Sequence, residues 1–449
     1  MNRRWIPPVM MLSLFISLPA QGQEEGTGLA FLIPNIFGAE GFIELEADQP
    51  FNHEAHFGVA REGQFSDVLQ QGRLLNIAFV TQLTALPLPS SASGITFGID
   101  PDTGLPARRR QSFGPILTER AETVGSGRFN VSFGFQYFSF DGIDGVDLDG
   151  IPDAIAHCNC PGGVSLDFKD DVITLDTVIG GQVSQFTAFF TYGLHDRVDV
   201  SVAVPILRTD LDVTSVATIQ RTGDPNPNIH HFEGGNPDQQ IFSNSGSATG
   251  LGDIIVRLKG NPRVSDAVAV AAGLDVRLPS GDEVDLLGTG GVGVRPFFVV
   301  SGVVGNNVSP HVNLGYQWNG DSRLAGDLRV AGDEGDLPDQ LFYAFGVDWG
   351  VHEQLTLVFD ILGQQIFDAQ RLRLIDTVTT PPPRETQLGF PNIDFEQASF
   401  NQTNAAIGFK VNPRGNLLVD FNLLFKLNDG GLRDTVTPLV GIEYGFGSF

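Results

Sequence analysis

Apolar and polar residues alternate with a period of two along most of this chain. In residues 268–278, Val268, Val270, Ala272, Leu274, Val276 and Leu278 share one parity, while Ala269, Ala271, Gly273, Asp275 and Arg277 share the other. Successive side chains of an extended strand point to opposite faces, so one face here is continuously apolar and the other is small and then charged. The same pattern recurs from residue 128 onward. It predicts strands over 128–138, up to 193, 197–207, up to 259, 268–278, 292–304, 308–318, 341–349, 355–366, 405–411, 417–427 and 439–446. Connections between these runs are alternately short and long. The short ones fall at 194–196, 260–263, 305–307, 351–354 and 412–415.

Either a soluble sandwich or a membrane barrel segregates polarity in this way, but the rhythm of the connections separates them. Outer-membrane barrels have an even number of antiparallel strands, short periplasmic turns and longer outer loops. Charge placement agrees: Asp199, Arg257, Lys259, Asp275, Arg277, Arg295, Asp348, Asp360, Lys410, Asp420, Lys426 and Glu443 all fall on the parity opposite the apolar face. A Lys or Arg facing lipid at mid-membrane costs about 2–4 kcal/mol, whereas a lumen charge is tolerated. The pattern therefore predicts an all-β protein, a transmembrane antiparallel β-barrel of about twelve strands spanning 128–449. Trp318 sits at the long-loop end of its strand, and Tyr192, Trp349 and Tyr444 at the other, as interfacial aromatic belts require. At the end of the last strand Phe446 keeps the parity of Val440, Ile442 and Tyr444, and Phe449 is out of phase.

Residues 23–127 lack the rhythm. Phe65, Val68, Leu75, Phe79, Leu83 and Leu86 stand near helical spacing, and Pro87 and Pro89 end the pattern. A strand entering a turn is expected at 94–104, followed by the basic run Arg108-Arg109-Arg110. The segment is expected to plug or cap the lumen or to form a periplasmic extension. A competing assignment adds 73–100 to the wall as two further strands, for fourteen in all. Residues 1–22 read as a signal peptide: Asn2-Arg3-Arg4 is basic, 9–18 is apolar, and Ala20-Gln21-Gly22 supplies small residues for cleavage. The apolar run is too short to span a bilayer as a helix.

Composition narrows the chemistry. Fifty-four Gly and 35 Phe with 18% charged residues suit strands and turns, and a net charge of −26 excludes nucleic acid as a partner. The two cysteines, Cys158 and Cys160, lie in a Gly/Asp-rich loop with His157, too few ligands for a closed zinc site. Their redox state is left open. The acidic run 141–153 lacks the closing Glu of an EF-hand, and is expected to be a solvated outer surface that attracts divalent cations loosely. No Gly-x-Ser-x-Gly elbow occurs, and His311 has only Ser309 beside it on its own strand, so no enzyme and no cofactor are expected.

The stretches 250–260 (GLGDIIVRLKG), 277–282 (RLPSGD), 286–290 (LLGTG) and 313–320 (NLGYQWNG) resemble the bacterial outer-membrane family known as the putative meta-pathway of phenol degradation, akin to fatty-acid and aromatic-hydrocarbon transporters. Residues 112–125 and 412–446 look like the same lineage. The resemblance implies an outer-membrane channel for passive uptake of small hydrophobic or aromatic molecules, with membrane lipid, the barrel-assembly machinery and a hydrophobic solute as partners. By parity alone, the expected lumen-lining residues are Arg257, Asp275, Arg277, Arg295, His311, Asn313, Asp348, Asp360, Asp420 and Glu443. The alternatives are a filled structural or surface-interaction barrel whose outer loops near 141–165, 220–250 and 367–398 bind a partner, and a general porin.

Overall fold

The computed structural model describes residues 28–38, 43, 45, 68–83, 86–87, 90, 97–99, 106–108, 112–156, 171–222, 230–265, 267–305, 307–379 and 388–446. The segment 1–22, the cysteine loop with Cys158 and Cys160, Arg109, Arg110 and Phe449 lie outside them. Twelve antiparallel strands form the wall: β1 Phe129–Phe140, β2 Val172–His195, β3 Val198–Gln220, β4 Ile254–Val264, β5 Val268–Leu278, β6 Gly293–Gly302, β7 Val308–Asn319, β8 Gln340–His352, β9 Leu355–Thr379, β10 Leu388–Arg414, β11 Leu417–Lys426 and β12 Val436–Phe446. Each pairs with its sequence neighbour, except that β12 pairs with β1, and this seam closes the ring (Phe446 opposite Phe129, Leu439 opposite Gln136). In lipid, every backbone N–H and C=O must find an internal partner, and closure provides one for strands that would otherwise be edges.

The alternation sorts the side chains as the pattern predicts. On β5, Val268, Leu274 and Leu278 are exposed, while Ala269, Ala271 and Asp275 are buried. Around the ring Phe133, Phe190, Phe298, Leu314, Phe345, Phe359, Ile407 and Ile442 project outward, and Tyr192, Trp318, Trp349 and Tyr444 lie on the same outer face. An apolar band of this extent around a closed ring of strands is the surface of a membrane barrel. The protein is an outer-membrane-type β-barrel, and short turns mark its periplasmic end.

Two hairpins continue well past the membrane. β2 and β3 stay paired out to Val172 and Gln220, and β9 and β10 out to Thr379 and Leu388. The regions expected as loops at 220–250 and 367–398 are therefore partly strand. Two further strands, Ile151–Ala156 on β2 and Gln239–Leu251 on β3, widen this outer wall. Above the bilayer water can satisfy the backbone groups left at the edges, so these paired extensions need no closed ring.

The fourteen-strand assignment is overturned. Residues 73–83 belong to helix α1, Val68–Leu83, which lies in the outer mouth of the barrel and not in its wall. Leu75, Ala78, Phe79, Val80 and Leu83 are buried against Ile179, Val213, Leu372, Ile393 and Leu432 from the extended hairpins and outer loops. Fully burying a side chain such as Phe79 is worth about 1.5–3 kcal/mol, and tertiary burial of this face outweighs the β-propensity of its valine and isoleucine. Gly181 on β2 makes room, since a Cβ there would stand 2.8 Å from the Phe79 ring. Residues 28–38 complete the cap, with the Ala30 amide on the Val284 carbonyl (2.9 Å) and the Asn244 Nδ2 donating to the carbonyls of Leu32 and Asn35.

Two outcomes follow from this architecture. Leu274→Arg puts a charge on the lipid face at a cost of about 2–4 kcal/mol, and should block assembly, whereas Arg277→Leu on the lumen face should not; heat-modifiable mobility of the membrane fraction reads both, and equal recovery of folded barrel would overturn the topology. Above the membrane, burial pushes the Asp153 carboxyl up to about 7 against the opposing pull of the Ala154 amide. A carboxyl raised in the fold stabilises fully below its unfolded value near 4 and loses that contribution as pH rises through 7. Amide exchange over 151–156 should therefore speed up relative to the membrane strands between pH 4 and 8, and Asp153→Asn should flatten the difference.

Candidate functional site: a plugged lumen

Below the α1 cap, residues 112–126 run through the lumen as an extended strap. Such a chain carries unpaired backbone groups, and here the inward side chains of the wall satisfy them. The Phe113 amide donates to Thr356 Oγ1 (3.0 Å), the Glu119 amide to Asn313 Oδ1 (2.6 Å), the Ala121 amide to Ser301 Oγ (2.8 Å) and the Val124 amide to Asp199 (3.0 Å). In return Asn313 Nδ2 donates to the Glu119 carbonyl (2.8 Å), and Lys259 Nζ to those of Arg120 (3.2 Å) and Glu122 (3.0 Å). The strap leaves at the short-turn end, where a Cβ on Gly193 would collide with the Gly125 carbonyl at 1.8 Å. Only glycine permits that approach.

The ten residues picked by parity separate into two groups. Arg257, Asp275, Arg277, Arg295 and Asn313 line a cavity of about 300 Å³ between cap and strap. Arg257 grips Asp275 with Nε (2.7 Å) and Nη2 (2.9 Å) and reaches the strap's Glu119 with Nη1 (2.6 Å). Arg295 holds the other side of Asp275 (Nε 3.0 Å, Nη2 2.5 Å), and Lys259 Nζ reaches Glu119 at 3.2 Å. Arg257 also stacks over Phe297 (4.9 Å) and Arg295 over Phe342 (4.8 Å). The remainder of the lining is largely apolar or amide-bearing, with Leu83, Leu86, Phe138, Leu207, Tyr343 and Gln402 prominent.

His311, Asp348, Asp360, Asp420 and Glu443 lie lower, around or beneath the strap, all buried. Thr118 donates to Asp360 (3.1 Å), Asn130 to Glu443 (2.5 Å), and Lys410 stands 3.9 Å from Glu443 and opposite Asp420 in the sheet. His311 is joined not to Ser309 but to groups on the two neighbouring strands. Its Nδ1 is 3.0 Å from Ser301 Oγ, its Nε2 meets Asp348, and Asp348 in turn accepts from Ser112 of the strap. Ser–His–Asp is a combination known from hydrolases, but Ser301 is 0% exposed and its oxygen already accepts the Ala121 amide. The chain Ser112–Asp348–His311–Ser301–Ala121 ties the strap to three strands of the wall.

Parity could not bring out Glu119, Ser301 or Gln185. Glu119 belongs to a segment without periodicity, and the other two are uncharged and ordinary in a strand. Phe297 was open to it, since it shares the parity of Arg295 while its neighbour Phe298 faces lipid. In the acidic run 141–153, Asp144 accepts from Arg371 (2.9 Å) and the Gly431 amide (2.8 Å), and Asp141 engages Thr435 and Lys426, so these carboxylates join outer loops together. Among the described residues no group of three His, Cys, Asp or Glu could hold a metal ion. At the cavity's outer rim, burial raises the Asp434 carboxyl above its ordinary range, opposed by hydrogen bonds from Thr437, Ser139 and Val436.

The geometry defines a membrane barrel whose lumen is capped above, strapped below and hollow between. A family model described as "Putative MetA-pathway of phenol degradation" matches residues 170–370, and over that span the chain is similar to this family. No curated protein sequence matches. Among solved structures, an outer-membrane channel from Pseudomonas putida F1 is 13% identical, covering 73% of this chain and 98% of that one with a TM-score of 0.43. The P. putida toluene transporter TodX is 10% identical (72% and 91% covered, TM-score 0.32), and a Pseudomonas aeruginosa FadL homologue 9% identical (71% and 88%, TM-score 0.29). Likenesses at this level carry no statement about cargo.

If the histidine chain holds the strap, His311→Ala removes two buried hydrogen bonds worth about 1–3 kcal/mol when a partner is left unsatisfied. Single-channel recordings should then show larger or more frequent openings than the wild type, with Ser309→Ala unchanged. Identical traces for all three proteins would make the chain irrelevant to the strap.

Proposed function

We propose that this barrel is a passive, gated channel for uptake of small hydrophobic or aromatic molecules across the outer membrane. The observation that carries this reading is the lumen cavity. At about 300 Å³ it falls at the lower end of the range for small-molecule sites, and its lining combines Leu, Phe and Tyr side chains with a few convergent polar groups. Its walls come from all twelve barrel strands and its floor and lid from the N-terminal segment, so a solute inside sits on the axis between the two faces of the membrane. The strap argues against a general porin, because it crosses the lumen and is hydrogen-bonded to the inner wall at Thr356, Asn313, Ser301 and Asp199. The description of the matching family, phenol degradation, agrees with a single-ring solute.

The test fills the cavity. Leu207→Trp should lower the rate at which phenol or toluene equilibrates into proteoliposomes by severalfold, while the heat-modifiable folded band is retained. Unchanged flux in the filled variant would place the route elsewhere. No flux with either protein above that of empty liposomes would favour a structural barrel.

A further inference from the structure

Three of the glycine-rich stretches in the sequence, 250–260, 277–282 and 286–290, meet at one place in the fold. The connection from β5 to β6, residues 279–292, is an outer loop by topology, yet it turns into the lumen. Its Leu286 and Leu287 are buried and line the cavity, so part of the roof belongs to the wall's own chain. This tongue is bonded to itself. Asp282 receives the amides of Val284 (3.0 Å) and Asp285 (3.2 Å) on its carboxylate and that of Leu287 (2.8 Å) on its carbonyl, and the Leu286 amide donates to the Glu283 carbonyl (3.0 Å). A loop that satisfies these groups internally keeps them paired when it moves as a unit.

One carboxylate fixes both stems of the tongue. Asp253 lies where the wall strand is irregular, between Leu251 opposite Ile206 and Ile255 opposite Ala203. It accepts the Gly281 amide on Oδ1 (3.1 Å), and on Oδ2 the amide (2.8 Å) and hydroxyl (2.6 Å) of Thr289. The stems touch there through glycine, since a Cβ on Gly288 would stand 2.5 Å from Asp253 Oδ1 and 2.8 Å from the Gly281 Cα. Hydrogen bonds to an ionised acceptor are the strong ones, so the closed position of the tongue is set at this hub. Its tip is strained. Leu286 has φ +56°, and among the described residues it is the one non-glycine at positive φ whose side chain carries no polar atom. The surroundings hold it there: Thr209 Oγ1 donates to the Leu286 carbonyl (3.2 Å), and the Ala30 amide of the cap to that of Val284 (2.9 Å). Backbone strain of this kind collects at clamps and switch segments. The opposite half of the roof, helix α1, is anchored instead by the apolar face it buries against the outer hairpins.

We infer that the β5–β6 tongue is the moving half of the roof, the gate by which a solute enters the cavity from the outer side, and that Asp253 and Thr289 are its latch. The inference deepens the channel reading above and rests on it. Leu286 and Leu287 swing about the glycines of the stem, and the tongue returns when Thr289 and Gly281 regain the carboxylate. Asp253 and Thr289 are positioning residues, acting on the solute through the tongue.

Binding of 4-fluorophenol to the purified full-length protein in detergent, followed by fluorine NMR line shapes, yields the entry rate, the exit rate and Kd from one titration. A latch sets both rates and leaves their ratio alone. Thr289→Val, which keeps the amide and loses the hydroxyl, should raise entry and exit together by about tenfold, the equivalent of one net hydrogen bond, with Kd within about a factor of two. Asp253→Asn should raise both further. Should that variant misfold, Thr209→Val, which frees the tip, should act in the same direction as Thr289→Val. Unchanged rates in the two threonine variants, even with a lowered melting temperature, overturn the inference, as does an exit rate that rises alone in step with Kd. No binding by the wild type would remove the cavity reading and the gate with it. Rates that respond as expected without any flux into proteoliposomes would keep the gate and remove the channel.

Discussion

Everything in this molecule depends on one constraint: backbone polar groups removed from water must be paired, and lipid offers nothing to pair with. The wall answers it by closing twelve strands through the β12–β1 seam. The strap cannot answer it that way, because residues 112–126 belong to no sheet. Its amides and carbonyls are satisfied instead by Thr356, Asn313, Ser301, Asp199 and Lys259, side chains that point inward because their strand neighbours point to lipid. The polarity of the inner wall therefore has two origins in one pattern. Alternation forbids charge outside, and the strap requires hydrogen-bonding groups inside.

Buried charge in such a setting is tolerable only when compensated. The upper lumen arranges this by clamping Asp275 between two arginines and bringing Glu119 in from the strap to meet Arg257 and Lys259. Glu119 is thus both a piece of the plug and a counter-ion of the wall. The two components are complementary in charge as well as in hydrogen bonding. Withdrawing the strap would leave Lys259, 1% exposed, without the carboxylate and carbonyls that surround it.

Much of the wall was legible in the sequence because its cause is local. Whether Leu274 faces lipid and Asp275 faces inward follows from a period of two, and a short turn such as that at Asn412 and Gly415 announces itself by its residues. The stretch 260–263, read as a turn from its Gly, Asn and Pro, is instead a bulge within β4, whose pairing resumes with Arg263 opposite Val270 and Val264 opposite Ala269. The outer extensions were obscured because charges at Arg371, Arg373 and Asp376 and the prolines at 381–383 read as loop when only a membrane crossing was sought. The tie between Ser301, His311 and Asp348 was out of reach for a different reason. Its members are ten and 37 residues apart in the chain, and their juxtaposition depends on the register of three strands. The strap was least visible, having no periodicity of its own. Its conformation is imposed by the surface it lies on, whereas α1 could be seen as a helix from the spacing of Leu75, Phe79 and Leu83.

The path of the N-terminal segment also bears on how the protein is built. Helix α1 sits in the outer mouth, the strap lies deep in the lumen, and the chain then emerges at the opposite end beside Gly193 to begin β1. Once the seam between β1 and β12 has zipped, delivering α1 to the far side would mean drawing a folded helix and its flanking chain through a pore that side chains almost fill. A ring that closes around a segment already lying across the sheet avoids that passage altogether. The plug is in this sense a template for the barrel's circumference, and a wall assembled without it would lack the internal scaffold that its inward-facing residues are shaped to hold.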